Sequence, residues 1–227
     1  MLIDLHSHSI LSDGTLPIEE MVAAAERHCY EAYAVTDHAF GDDPHYLDTV
    51  SEVRRQIDQL RSDTPMRLFA GVELTDFEPE DIAGAAETVR RFGAQVVVVH
   101  GECPTLVVPA GTNAAAVRCG EVDILAHPGL LTERDADEAT SRGVYLEISA
   151  RQGHCWSNGH VYQTARKAGA FLLVDSDAHE EAGLLSVPKV SALIRGAGSS
   201  ELTLNQIVNQ MAPRLVARLA RRYAQVY

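Results

Sequence analysis

Gln95-Val-Val-Val-Val-His100 is an unbroken β-branched run that ends in an imidazole. A strand without polar alternation is buried on both faces, as happens inside a parallel sheet covered by helices. Outward from this strand, Gln95–Val99, six further runs have the same character: Leu2–Leu5, Ala32–Thr36, Arg67–Val72, Asp123–Ala126, Val144–Ile148 and Phe171–Val174. Amphipathic stretches separate them. Ile18, Met21, Val22 and Ala25 repeat at helical spacing behind Pro17. Ile82, Ala85, Ala86 and Val89 do so behind Pro79, with Gly93 placed to end that helix. Strands alternating with helices imply right-handed βαβ units and an α/β protein. A length of 227 residues suits one domain or an α/β barrel.

Composition narrows the function classes. Apolar residues make up 46% of the chain, which excludes low-complexity disorder, and no run reaches the ~18 apolar residues of a membrane span. Met1-Leu-Ile-Asp4 leads straight into polar sequence rather than a secretory signal, so the expected address is cytoplasmic. Nineteen basic against 32 acidic residues give a net charge of −13; such a surface repels phosphate backbones, and nucleic acid is not the expected partner. Cys29, Cys103, Cys119 and Cys155 form no C-x-x-C pair and read as reduced, buried thiols. The tail from Thr203 to Tyr227 reads as two helices broken at Pro213. The second carries Arg214, Arg218, Arg221 and Arg222 beside Leu215, Val216 and Leu219, an apolar stripe packed on the protein with a solvated basic face. No linker divides the chain, so the expectation is a single domain over residues 1–227, with C-terminal helices from about 203 onward. The sequence carries no sign of oligomeric state.

The histidines fall in a pattern. Strand 1 runs into His6-Ser-His8 and then Asp13; strand 2 ends in Asp37-His38, strand 3 in Glu73, strand 4 in His100 and strand 5 in His127. Strand 6 carries Glu147 near its end, and strand 7 leads into Asp175-Ser-Asp177-Ala-His179. In parallel α/β folds, chemistry gathers at the carboxyl ends of the strands. Six imidazoles and three carboxylates on one rim are costly to bury together unless they coordinate something. Nitrogen and oxygen donors suit zinc, manganese or iron, and nine ligand-type residues suit two or three such ions. Three carboxylates contribute −3, so three divalent ions would turn the rim to +3 and favour an anionic substrate. Arg151 and Lys189 are candidates to hold a substrate phosphate. Glu147 is a candidate hydrogen-bond acceptor for a ligand histidine, whereas His154, in a loop with Trp156, Asn158 and His160, is as readily structural.

At these residues the chain resembles the PHP family, named for polymerases and histidinol phosphatases. The matching pieces are Asp4-Leu-His-Ser-His8 with Ser12-Asp13-Gly14, Thr36-Asp37-His38, Gly71-Val-Glu73, Val99-His100, Ala126-His127-Pro128 and Ser176-Asp177-Ala-His179, in the family's order. The resemblance implies a distorted (β/α)7 TIM-like barrel with a trinuclear site. His6, His8, Glu73 and Asp177 would bind one ion, Glu73, His100 and His127 a second, and Asp13, His38 and His179 a third. Asp13 stands where some members carry histidine.

The expected activity is metal-dependent hydrolysis of a small-molecule phosphomonoester, such as histidinol phosphate or a nucleotide or sugar phosphate, by a metal-bound hydroxide. Glu73, Asp177 and His179 are the expected catalytic residues. Three alternatives stand beside it: a phosphodiesterase or 3′–5′ exonuclease, an amidohydrolase-like enzyme, and a metal-stabilised module without turnover. The version of the amidohydrolase site bridged by a strand-4 lysine is excluded, because strand 4 ends in His100 and the first lysine is Lys167.

Overall fold

The computed structural model describes residues 2–224. Among these residues eight strands, all parallel, are formed: β1 (Ile3–Asp4), β2 (Ala32–Val35), β3 (His38–Phe40), β4 (Arg67–Thr75), β5 (Val96–His100), β6 (Ile124–Ala126), β7 (Tyr145–Ser149) and β8 (Leu172–Asp175). They run in the order β1-β2-β4-β5-β6-β7-β8, with β3 paired to the far end of β4. The result is the expected nearly closed seven-stranded α/β barrel.

Helices α1 (Ile18–Arg27), α2 (Tyr46–Leu60), α3 (Ile82–Arg91), α4 (Thr112–Arg118), α5 (Glu133–Arg142) and α6 (Asn158–Ala168) lie between the strands. After β8 come α7 (Val187–Gly196), α8 (Glu201–Gln206) and α9 (Ala212–Ala224). Gly93, at φ +109°, turns the chain out of α3 as its position suggests.

The valine run of β5 shows why alternation is absent. Val97 and Val99 pack outward in the core shared with the helices, while Val96 and Val98 pack inward in the barrel. That inner core is closed at the amino-terminal ends of the strands by α9, whose Leu215, Val216 and Leu219 join Ile3, Ala32, Phe69, Ile124 and Tyr145.

The tail departs from its expected break at Pro213. Between α8 and α9 the helix widens into a π turn over Ile207–Met211, and Pro213 is the second residue of α9. A proline lacks the N–H for a helical bond and its ring crowds the preceding turn, so a widened turn before it lets the helix continue. The basic face is bonded rather than merely solvated. Arg218 and Arg222 donate to the buried carboxylate of Asp123, at 3.2 and 3.3 Å, and Arg214 lies over the Phe171 ring. Among the described residues no helix is long and apolar enough to cross a membrane.

The strand after α1 differs too. It is interrupted after Val35 and resumes as β3, because the side chains between are bonded elsewhere. Thr36 Oγ1 donates to the Ser7 carbonyl, and the Asp37 carboxylate accepts from Ser9 N–H, Ser9 Oγ and Ser12 Oγ. The restart pairs His38 with Glu73.

Carboxylates also fasten the seam between β1 and β8. Asp175 accepts from Leu5 N–H at 2.7 Å and Asp4 from Ser176 N–H at 3.0 Å. Beyond them His8 N–H donates to the Ala178 carbonyl and Asp177 N–H to that of His6.

Candidate metal centre

Each candidate ligand comes from the carboxyl end of the barrel. His6 and His8 follow β1, His38 opens β3, Glu73 lies within β4, His100 ends β5, His127 follows β6, and Asp177 and His179 follow β8. His127 (φ +27°) and Asp177 (φ +51°) both take backbone conformations that non-glycine residues seldom adopt. Such strain costs ~1–3 kcal/mol and tends to be held at functional sites.

Glu73 is the hub, 1% exposed. Its Oε2 lies 3.2 Å from His6 Nε2, 3.4 Å from His8 Nε2 and 3.0 Å from His38 Nδ1. Its Oε1 lies 3.1 Å from His100 Nδ1 and 3.4 Å from His127 Nε2. Asp177 is a second hub, with Oδ1 3.3 Å from His8 Nε2 and Oδ2 2.9 Å from His154 Nδ1. On the open side, Asp13 Oδ2 meets His179 Nε2 at 3.0 Å.

Donor atoms gather in four groups, each with all members within 4.8 Å of one another: His8, Asp13, His38 and His179; His100, Cys103 and His127; His6, His127 and Asp177; and His6, His8 and Glu73. All nine expected residues take part.

The electrostatics follow from crowding. Burial raises Glu73, but His6, His38 and His100 outweigh it and hold the carboxyl well below its usual range. Asp177 is held down in the same way by His6, His154 and His8. Burial lowers His100, yet Glu73 and Cys103 together more than offset it and leave the imidazole at about 10. His154, beside Asp177, stands at about 9 despite burial. His8 goes the other way: burial and the neighbouring His38 bring it down to about 3.

Polar atoms in this cluster lack the partners that burial demands. His8 Nδ1, Glu73 Oε2 and both ring nitrogens of His127 are buried without a hydrogen bond. His6 and His8 bring their Nε2 atoms to 3.1 Å from each other. Unpaired buried lone pairs are costly, and divalent ions with nitrogen and oxygen donors satisfy several at once. The side chains therefore fit a metal centre. Glu147, fully buried, bonds His6 Nδ1 at 2.6 Å, the usual device for orienting a ligand imidazole.

The two expected phosphate-binding residues are placed differently. Arg151 Nη1 lies 2.6 Å from His179 Nδ1 and donates to the Asp177 carbonyl, and the residue lines the cleft above the cluster. Lys189 lines a pocket together with Arg151, Asp177 and His179, and its ammonium donates to the carbonyls of Gly183 and Leu184. The cysteines are not uniformly buried: Cys29 is exposed, Cys119 is buried, and Cys155 is intermediate. Cys103 is buried, with Sγ 3.8 Å from His100 Nε2. Burial raises its thiol, but contacts with His100, His127 and His154 prevail and hold it at about 2.

His154 and Cys103 were missed as members of the cluster. His154 sits in a 3-10 turn after β7, with no strand-end position to mark it. Cys103 had a faint signal in its spacing, three residues after His100.

Comparison with known proteins agrees with this layout. The PHP domain matches residues 4–100. An uncharacterized protein of Methanocaldococcus jannaschii is 31% identical over 220 residues, covering 96% of this chain and all of the relative. A Shewanella loihica protein named "Probable phosphatase" is 24% identical, covering 97% of this chain and 94% of its own. The zinc-bound histidinol phosphate phosphatase of Lactococcus lactis, solved with L-histidinol and phosphate, has the same fold. It aligns at a TM-score of 0.57 and 16% identity over 87% of this chain and 94% of its own. With the ordered motifs converging on one cleft and a relative matched from end to end, the chain belongs to the PHP family.

Proposed function

We propose that this protein is a metal-dependent phosphoesterase that hydrolyses a small-molecule phosphomonoester. The observation that carries the reading is the convergence of seven imidazoles on the carboxylates of Glu73, Asp177 and Asp13, beneath a cleft with a guanidinium at its lip. His6, His8, Glu73 and Asp177 would hold one zinc, manganese or iron ion. Glu73, His100 and His127 would hold a second, and Asp13, His38 and His179 a third. Bound divalent ions supply Lewis acidity toward phosphoryl oxygens and bring the pKa of water toward neutrality.

The chain's own residues do the remaining work. Arg151 offers a planar guanidinium to phosphoryl oxygens, a geometry that suits them better than an ammonium does. The Asp177 carbonyl accepts from that guanidinium. The cleft has a volume of about 370 Å³ and carries Phe40, Leu106 and Val107 on its wall, room for a small molecule with an apolar part. Asp177, held ionised by the imidazoles around it, acts here as a ligand, and His179 is our candidate to return a proton to the leaving alkoxide. Glu73, touching five imidazoles, assembles the site as much as it serves the chemistry.

The test compares a generic phosphomonoester with a matched phosphodiester, using protein stripped of metal and reconstituted with Mn²⁺ or Zn²⁺. Monoester turnover is expected to require metal, and Glu73→Gln is expected to lower it ~100-fold together with bound metal. Preference for the diester would replace the monoester reading with a nuclease-type one. Wild-type turnover in Glu73→Gln would overturn the mechanism.

A further inference from the structure

We infer that Cys103 is a metal ligand, its thiolate completing a position with His100 and His127 and biasing that position toward zinc. The inference rests on the metal-centre reading above; His100 would present Nε2 to this ion while its Nδ1 stays beside Glu73 Oε1, so the soft donor stands where that reading put Glu73 among the ligands of the second ion.

Three observations carry it. Cys103 Sγ, with one ring nitrogen each from His100 and His127, forms a buried group whose atoms all lie within 4.8 Å of one another. Zinc–sulfur and zinc–nitrogen bonds of ~2.3 and ~2.0 Å meeting at a tetrahedral angle place the two donors ~3.5 Å apart. The observed 3.8 Å between Cys103 Sγ and His100 Nε2 is close to that edge. Second, His127 is 1% exposed and neither of its ring nitrogens has a hydrogen-bond partner. An imidazole so deeply buried and so unsatisfied calls for a ligand at the point that Cys103 also faces.

Third, the backbone is built to bring Cys103 there. Gly101 lies so close to the loop after β6 that a Cβ on it would stand 2.3 Å from the Ala126 carbonyl oxygen. A Cβ on Gly129, which sits at φ +62°, would stand closer still to the Glu102 carbonyl oxygen. Glu102 Oε1 accepts from the N–H groups of Gly111 and Asn113. Asn113 in turn bonds Glu102 N–H and the Pro128 carbonyl. The segment Gly101-Glu102-Cys103 is thus clamped against the segment that carries His127. A core cysteine needs no such clamp, and its sulfur would face aliphatic side chains rather than imidazoles.

The chemistry has a consequence for metal choice. Thiolate donors favour zinc and cobalt over manganese and magnesium, and the thiol proton leaves to solvent when the ion binds. Cys103→Ser is expected to weaken zinc binding at least ~10-fold while changing manganese binding little.

Cobalt(II) titration of the stripped, full-length protein tests this directly. The wild type is expected to develop visible d–d bands together with a near-ultraviolet thiolate-to-cobalt charge-transfer band. Cys103→Ser should keep the visible bands and lose the charge-transfer band, whereas Cys119→Ser should keep both. X-ray absorption at the zinc edge of the wild type provides a second measurement that needs no variant, with a sulfur scatterer expected at ~2.3 Å. Bound metal without a sulfur signal would overturn the role of Cys103 and leave the metal centre standing. Failure of the wild type to bind cobalt or zinc at all would overturn both.

Discussion

Glu147 sits beneath His6 with no exposure to solvent, and its 2.6 Å bond to Nδ1 leaves Nε2 turned toward Glu73 and His8. Orientation of this kind sets which ring nitrogen is free and how basic it is. Replacing the carboxylate by an amide keeps the shape and removes the charge that supports the imidazole. Glu147→Gln is expected to raise the metal concentration for half-maximal activity ~10–100-fold, with turnover recovering at saturating metal. An unchanged metal midpoint would show that the contact serves only packing. Residues of this class were legible because strand ends can be found by counting: His6, His8, His38, Glu73, His100, His127, Asp177 and His179 all stand at or just past an apolar run. Cys103 and His154 were not, since loop clamps and a 3-10 turn bring them in, and neither leaves a period in the sequence. The asymmetry is physical: a strand fixes the direction of its side chains through its pleat, whereas a loop does so only through contacts with other loops.

At the scale of the element, α9 is the piece that makes the barrel a closed body. Its apolar stripe fills the floor of the barrel, and its arginines converge with Arg90 from α3 on Asp123, which is 1% exposed and also accepts from Val97 N–H. Removing one partner from a buried charge network leaves the others uncompensated and costs ~3–5 kcal/mol. Asp123→Ala is therefore expected to lower the melting temperature by about 10 °C, at ~2–4 °C per kcal/mol for a chain of this size. The donor cluster lies at the opposite end of the barrel, so metal content and activity at ambient temperature should stay within about twofold of wild type. A melting temperature within about 2 °C of wild type would deny the network its role. The stripe was legible from its spacing, but its destination was not, because an amphipathic helix announces an apolar face and not the surface that receives it. The strand count was legible for a related reason: runs buried on both faces have few other places to go. The split between β2 and β3 was hidden in side-chain bonds from Thr36 and Asp37 to the loop after β1.

The whole molecule joins an acidic exterior, with a net charge of −13, to a donor cluster in which seven imidazoles meet the carboxylates of Glu73, Asp177 and Asp13. In the side chains alone, protons hold these groups together: Glu73 and Cys103 keep His100 at about 10 against burial, and Asp177 and Cys103 keep His154 at about 9. A histidine raised in the fold contributes stability that is complete below its unfolded value of ~6.5 and is lost as pH climbs through its folded value. Between pH ~7 and ~9.5 the stripped protein should therefore lose stability through these two groups. His8, at about 3, and Asp4, raised by burial to about 6, change protonation below that window, while Cys103, held at about 2 in the fold against ~8.5 unfolded, gains stability up to pH ~8.5 and offsets part of the loss. Divalent ions take the same nitrogens once the protons leave, so binding tightens as pH rises. The melting temperature of metal-loaded protein should then exceed that of chelator-treated protein by a margin that widens by at least ~4 °C from pH ~7 to ~9.5. Differential scanning fluorimetry at the two pH values, with and without chelator, measures that margin. A margin that stays constant or narrows would mean that protons and ions do not compete for one set of imidazoles, and the cluster would then have to be held together by hydrogen bonds alone.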